Sequence, residues 1–168
     1  MQLKMDLTPS KEKKLALLAH SSILLTFIVA VTTNGFATLI PILIPFFIWF
    51  AYRDRSDYVA FHALQATVYQ FASILLFGAF AVGLAIVLLL VWLIVAILSF
   101  FIVGLVLIPV AVLLTVLTST LLAVFPLVSL GYGLVATWEV YARSDFRYRW
   151  IADWIENKSP ESIEIRSL

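Results

Sequence analysis

The chain has no cysteine, which excludes disulfides, thiolate-bound metals and thiol nucleophiles and leaves the redox compartment open. It is also poor in charge. Asp, Glu, Lys and Arg make up 12% of the residues, against about a quarter in a soluble domain. Hydrophobic residues make up 63%, and mean hydropathy is +1.07. A chain of 168 residues cannot hide that much apolar surface from water, so lipid must cover it. A net charge of +1 gives no basic field for nucleic acid. Glycine-rich phosphate loops, HExxH and GxSxG patterns are missing as well. The length suits one domain.

The few charges are informative through their positions. Every Lys and Arg falls in one of three segments: Lys4, Lys11, Lys13 and Lys14; Arg53 and Arg55; and Arg143, Arg147, Arg149, Lys158 and Arg166. No charged residue occurs from 58 to 138. Positive segments stay on the cytoplasmic side of a membrane, so an even number of spans separates each pair. Residues 15–31 and 36–52 form a first hairpin that turns outside at TTNG, residues 32–35. The apolar start is a full span followed at once by another, so it reads as a retained helix rather than a cleaved signal. Four crossings within 58–138 would need about 80 residues of helix and leave none for turns. Two crossings remain, which gives four spans with both termini cytoplasmic; five spans would place the Arg-rich tail outside. The surplus length falls either in an interfacial lead-in over 58–70 or in an outer turn or re-entrant piece over 99–109.

Pro41 and Pro45 interrupt the second span, as a packing kink or a gate, and their freed carbonyls need protein cover. In the tail, SDFRYRWIADWIEN repeats Phe146, Trp150, Ile151, Trp154 and Ile155 at helical spacing, with Ser144 placed to cap. That pattern predicts an interfacial amphipathic helix, or one docked on a protein partner.

Polar residues inside a membrane are costly and need a partner or a purpose. A helix starting at Asp57 or Ser56 places His62, Gln65, Tyr69 and Ser73 on one face, a polar stripe descending from the loop that holds Arg53 and Asp57. His20 lies at a similar depth on the first span. The two histidines could ligate a haem, line a proton or substrate path, or hydrogen-bond between helices. The last needs nothing further from the sequence. The loop aspartates have no nucleophile or metal constellation near them.

The lead Thr8-Pro9-Ser10-Lys11-Glu12 with Leu18-Ala19-His20-Ser21 resembles the start of a bacterial family of small four-helix membrane proteins of unknown function. That family is distantly similar to the Tic-type import subunit of the chloroplast inner envelope. The resemblance continues through Gly35-Phe36, Pro41, Pro45 and Trp49. It is best over Asp57-Tyr58-Val59-Ala60-Phe61-His62-Ala63-Leu64-Gln65-Ala66 and returns at 142–148. Leu64 stands where the family carries a basic residue. The family implies four helices and, through its chloroplast relatives, a part in protein translocation.

The expectation is an all-α integral membrane protein with four transmembrane helices in two hairpins and a C-terminal interfacial helix. Its parts are a cytoplasmic segment at 1–14, a membrane domain at 15–142 and an interfacial helix and tail at 143–168. The favoured role is non-enzymatic: a structural or accessory subunit packing against lipid and other membrane proteins, or against copies of itself, in a bacterial inner membrane. Small residues along Gly78, Ala79, Ala81, Gly83 and Ala85 permit close helix approach. A Tic-like translocation component and a haem- or pigment-binding subunit, with His20 and His62 as weak candidate ligands, are the alternatives. No cofactor or metal is expected otherwise.

Overall fold

The computed structural model describes residues 7–143 and 145–157. These residues form helices joined by turns, with no strand among them. Five helices follow one another: α1 Pro9–Thr32, α2 Leu43–Tyr52, α3 Asp57–Ser99, α4 Val103–Arg143 and α5 Arg149–Asn157. Three of them, α1, α3 and α4, are long and apolar enough to cross a membrane. With 10 residues, α2 falls short of the ~20 a span requires.

Local chemistry sets the ends. Pro9 opens α1, where its missing N–H costs nothing, and the Thr8 carbonyl accepts the Lys11 and Glu12 N–H groups at 2.8 and 3.1 Å. At the other end Asn34 and Gly35 take φ of 50° and 87°. This left-handed turn lets Gly35 N–H reach the Ala30 carbonyl at 2.8 Å and stops the helix. Residues 33–42 run in successive turns up to Pro41, and regular helix resumes only at Leu43. At the start of α3 the capping side chain is Ser56, whose Oγ accepts the Val59 N–H at 3.2 Å. Asp57 is the first helical residue, where its charge suits the positive helix end.

The chain divides into two compact units. Unit 1 comprises Met1–Ala72 and Leu130–Leu168. Ala19, Ile48, Val59, Ala63 and Ala66 form its core, flanked by Leu15, Ile44, Trp49, Tyr52 and Tyr58. The alanines let the helices approach closely. Gly133 of α4 serves the same purpose, since a Cβ there would lie 2.5 Å from Cδ1 of Ile23.

Unit 2, Ser73–Ser129, is a helical hairpin whose arms each exceed the ~20 residues of a span. Phe125 packs on Phe77 and Phe80, and Trp92 Nε1–H donates to Thr115 Oγ1 at 3.0 Å. The turn is confined to residues 100–102 and α4 runs on through Pro109 and Pro126, so the outer turn is shorter than the sequence suggested. Gly104 is required there, because a Cβ would collide with the Ser99 nitrogen and the Val95 carbonyl.

The tail departs from the sequence reading. Phe146 and Tyr148 precede the helix instead of lying on it, and α5 begins at Arg149. Ser144, the expected cap, lies outside the described residues. The reason for the late start is visible at Tyr148, whose backbone N–H donates to Gln65 Oε1 at 2.8 Å. The buried face of this region consists of Tyr148 and Ala152, while Trp150 is 86% exposed and Trp154 is also exposed.

Candidate functional site

Within unit 1, α3 carries two polar faces that the sequence reading merged into one. His62 faces α1. His20 Nε2 and His62 Nδ1 stand 3.3 Å apart, both residues being 1% exposed. One ring must donate and the other accept, so the two imidazoles hold complementary tautomers. Their rings meet edge to face at 5.5 Å, with Tyr58 against His62 at 4.5 Å and Tyr148 against His20 at 5.7 Å.

Two turns further along, Gln70 closes a second link to α1. Its Nε2–H donates to Ser22 Oγ at 2.8 Å, and its Oε1 accepts from Thr26 Oγ1 at 2.9 Å. Ser22 in turn donates to the Ala19 carbonyl at 2.7 Å. Every polar atom of the Gln70 amide group is thus used within lipid-facing helices, each such bond contributing about 0.6 kcal/mol.

Gln65 points elsewhere. It is fully buried and spends its oxygen on the Tyr148 backbone, fastening the segment before α5 to α3. Tyr69 stacks on Tyr148 at 4.3 Å and 9°, and Tyr132 and Phe146 meet the same ring edge-on. Burial, then the neighbouring Tyr69 and Tyr132 phenols, hold the Tyr148 phenol well above its usual pKa, so it stays neutral. Arg53 and Asp57 stay apart from this seam: Arg53 lies over the Phe50 ring at 4.9 Å and pairs with exposed Asp54 at 3.5 Å.

The sequence reading named His20, Ser22, His62, Gln65 and Tyr69 but missed Thr26, Gln70 and Tyr148. Gln70 lies about 100° around the helix from Tyr69, since successive residues turn by that angle, and so escaped a stripe drawn through 62, 65, 69 and 73. Thr26, one turn beyond Ser22 on α1, was the available signal.

As a ligand set the pair is poorly disposed. The imidazoles here point at one another at hydrogen-bond distance. Groups of three or more His, Cys, Asp or Glu able to hold a metal are absent among the described residues. Among the described residues, two buried atoms, His20 Nδ1 and Gln65 Nε2, have no hydrogen-bond partner. They mark where the seam is incomplete.

The seam runs from α1 to the segment before α5, and one family model covers that whole stretch, matching residues 11–155. The chain belongs to the magnetosome magnetite crystal formation protein family. This is a bacterial family of small membrane proteins, so the resemblance read from the sequence holds at that level. The further similarity to a chloroplast import subunit finds no support. No curated protein and no solved structure matches the chain. Membership places the chain among magnetosome-associated membrane proteins, and every residue of the seam lies within the matched range.

Proposed function

We propose that the chain is a non-enzymatic protein of the magnetosome membrane that serves magnetite crystal formation as a structural or accessory subunit. The observation that carries this reading is the family match over residues 11–155. The chemistry of the seam supports it: the buried side chains pair helix to helix, an arrangement that builds a scaffold. The surface of unit 2 supports it too, because its exposed Leu, Val and Ile side chains offer contact area to lipid and to other membrane proteins or a second copy. Translocation, the other role implied by the resemblance, has no support from the comparisons and is not adopted.

In a magnetite-forming bacterium, deletion of the chain should change the size distribution of the crystals seen by electron microscopy, and the intact chain should fractionate with the magnetosome membrane. Unchanged crystals would overturn the reading. Extraction in mild detergent should yield a larger assembly, and a lone monomer would count against the accessory role. The same proposal assigns no haem to His20 and His62; a Soret band that disappears in His62→Leu would reverse that assignment.

The reading includes four spans, with residues 36–52 as the second and both termini cytoplasmic. Because the chain has no native cysteine, single cysteines report topology directly. Ser10→Cys and Arg55→Cys should react with an impermeant maleimide from the cytoplasmic side, and Asn34→Cys from the other. Labelling of all three from one side would refute the topology.

A further inference from the structure

Beside the seam, sharing Tyr58 with it, unit 1 holds a cavity of about 570 Å³ lined by Pro9, Ser10, Glu12, Lys13, Lys14, Leu17, Tyr58 and Tyr141. We infer that this cavity binds the phosphate-bearing headgroup of an anionic phospholipid, with Lys13 and Lys14 supplying the counter-charge.

Three independent observations converge on that ligand. The first is the charge of the lining. Lys13 and Lys14 are the cationic groups of the cavity, and Glu12, the one acid among these residues, is engaged: its Oε1 accepts the Ser56 hydroxyl at 2.6 Å. Ser56 thereby holds one carboxylate oxygen toward the start of α3, and with two lysines against one glutamate the lining keeps a net positive charge.

The second is the depth of the site. On α1 the cavity lies where the lysine run meets the apolar stretch that begins at Leu15. On α4 it lies at Tyr141, just past the charge-free stretch that ends at Trp138. Tyr141 and Trp138 are 61% and 65% exposed and pack ring to ring at 5.9 Å. Exposed amphipathic rings of this kind settle at the headgroup level of a bilayer. The cavity therefore opens where phospholipid phosphates are concentrated.

The third is its mixed wall. Leu17 and the tyrosine rings give one side an apolar lining, and Lys13 Nζ sits 5.8 Å above the Tyr141 ring. That contact holds the flexible lysine stem at the cavity instead of in bulk solvent. A small inorganic anion would use the lysines and leave the apolar wall idle. A phospholipid uses both, with its phosphate on the lysines and its glycerol and upper acyl carbons along Leu17 and the rings. Basic pockets at the cytoplasmic ends of spans bind anionic lipid by this combination.

The test uses the full chain in zwitterionic nanodiscs, titrated separately with a short-chain phosphatidylglycerol, a phosphatidylcholine of equal chain length and inorganic phosphate. Binding is read by native mass spectrometry. Phosphatidylglycerol should bind at least about tenfold more tightly than phosphatidylcholine, and Lys13→Gln with Lys14→Gln should remove about tenfold of that affinity. Lys11→Gln, which deletes a charge from the same helix outside the cavity, should change it less than twofold. Lys13→Arg with Lys14→Arg should retain binding and serves as the control for folding. Equal loss in the Lys11 variant would reduce the effect to a diffuse surface field and overturn the site. Full competition by inorganic phosphate at equal concentration would make the occupant a soluble anion and overturn the lipid assignment.

Discussion

The buried polar side chains of the described residues, His20, Ser22, Thr26, Thr38, Ser56, His62, Gln65 and Gln70, all belong to unit 1. In unit 2 the buried residues are instead Val95, Gly104 and Ala111. Unit 1 thus has an interior in which hydrogen bonds choose the register of the helices. Unit 2 is a pair of apolar rods with almost no interior, and even its turn, Phe100, Phe101 and Ile102, is apolar and exposed. The contrast teaches that hydrophobicity alone does not make a core. In lipid, apolar side chains gain nothing by finding one another, so helix pairing depends on polar links and close packing. Unit 1 has both, whereas unit 2 has chiefly the second and must rely on its surroundings.

The largest effect should come from breaking the lipid-facing character of unit 2. Leu89 is 68% exposed on α3. Leu89→Arg should raise the cost of membrane insertion by about 3 kcal/mol, seen as a collapse of membrane-integrated chain in an insertion assay. Trp150→Arg, on the exposed side of α5, should leave integration nearly intact. Equal tolerance at both positions would mean that the hairpin does not face lipid.

Close packing in unit 2 is tested at the turn. Gly104→Ala would press a methyl into the Ser99 nitrogen and the Val95 carbonyl, backbone atoms that cannot step aside as a side chain can. A loss of about 1–3 kcal/mol is expected, measured by denaturant titration in micelles. Gly83→Ala is the comparison, since its added Cβ meets nothing within 4 Å, and it should be neutral or slightly stabilising. If the two variants behave alike, the turn does not depend on that approach.

These contrasts also show what was legible beforehand. The break after α1, the loop of Arg53 and Arg55 and the apolar stretch beyond Tyr58 could be read because charge and glycine punctuate them. The meeting of His20 with His62 could be anticipated, since both lie a similar distance from a basic segment. The Tyr148 knot could not. It depends on a side chain of α3 capturing a backbone N–H from a residue 83 positions later, and no local period records such a contact. The same capture made the tail pattern misleading: Phe146 shares helical spacing with Trp150 and Trp154, yet its segment is held outside the helix. Likewise the α2 region has the composition of a span but not the helix, because Gly35 and Pro41 leave its first half in turns.

The seam of unit 1 should respond in proportion to the atoms left unpaired. Gln70→Leu removes one donor and one acceptor at once, so the Ser22 and Thr26 hydroxyls fall back on the Ala19 and Ser22 carbonyls they already approach at 2.7 and 3.2 Å. A loss near 1 kcal/mol is expected, with faster amide exchange along α1. His62→Leu should cost more, about 1–3 kcal/mol. It strips His20 of its remaining partner, since Nδ1 already has none. The double variant His20→Leu with His62→Leu should recover part of that loss, because no buried imidazole is then left unsatisfied. A double variant that is simply additive would mean that the imidazoles do not interact.

The smallest effect is expected at the polar contact of unit 2. Trp92→Phe deletes the bond to Thr115 Oγ1 but leaves no orphan behind, because the Thr115 hydroxyl still donates to the Ala111 carbonyl at 2.8 Å. Trp92 is 39% exposed, so little packing is lost with the indole N–H. About 0.5 kcal/mol is expected, close to the resolution of a micelle titration, and Thr115→Val should be equally mild. If Trp92→Phe instead matches Gln70→Leu, unit 2 is stitched as unit 1 is, and the difference between them shrinks to one of residue count. If it is silent while Gly104→Ala is not, the hairpin is held by shape alone.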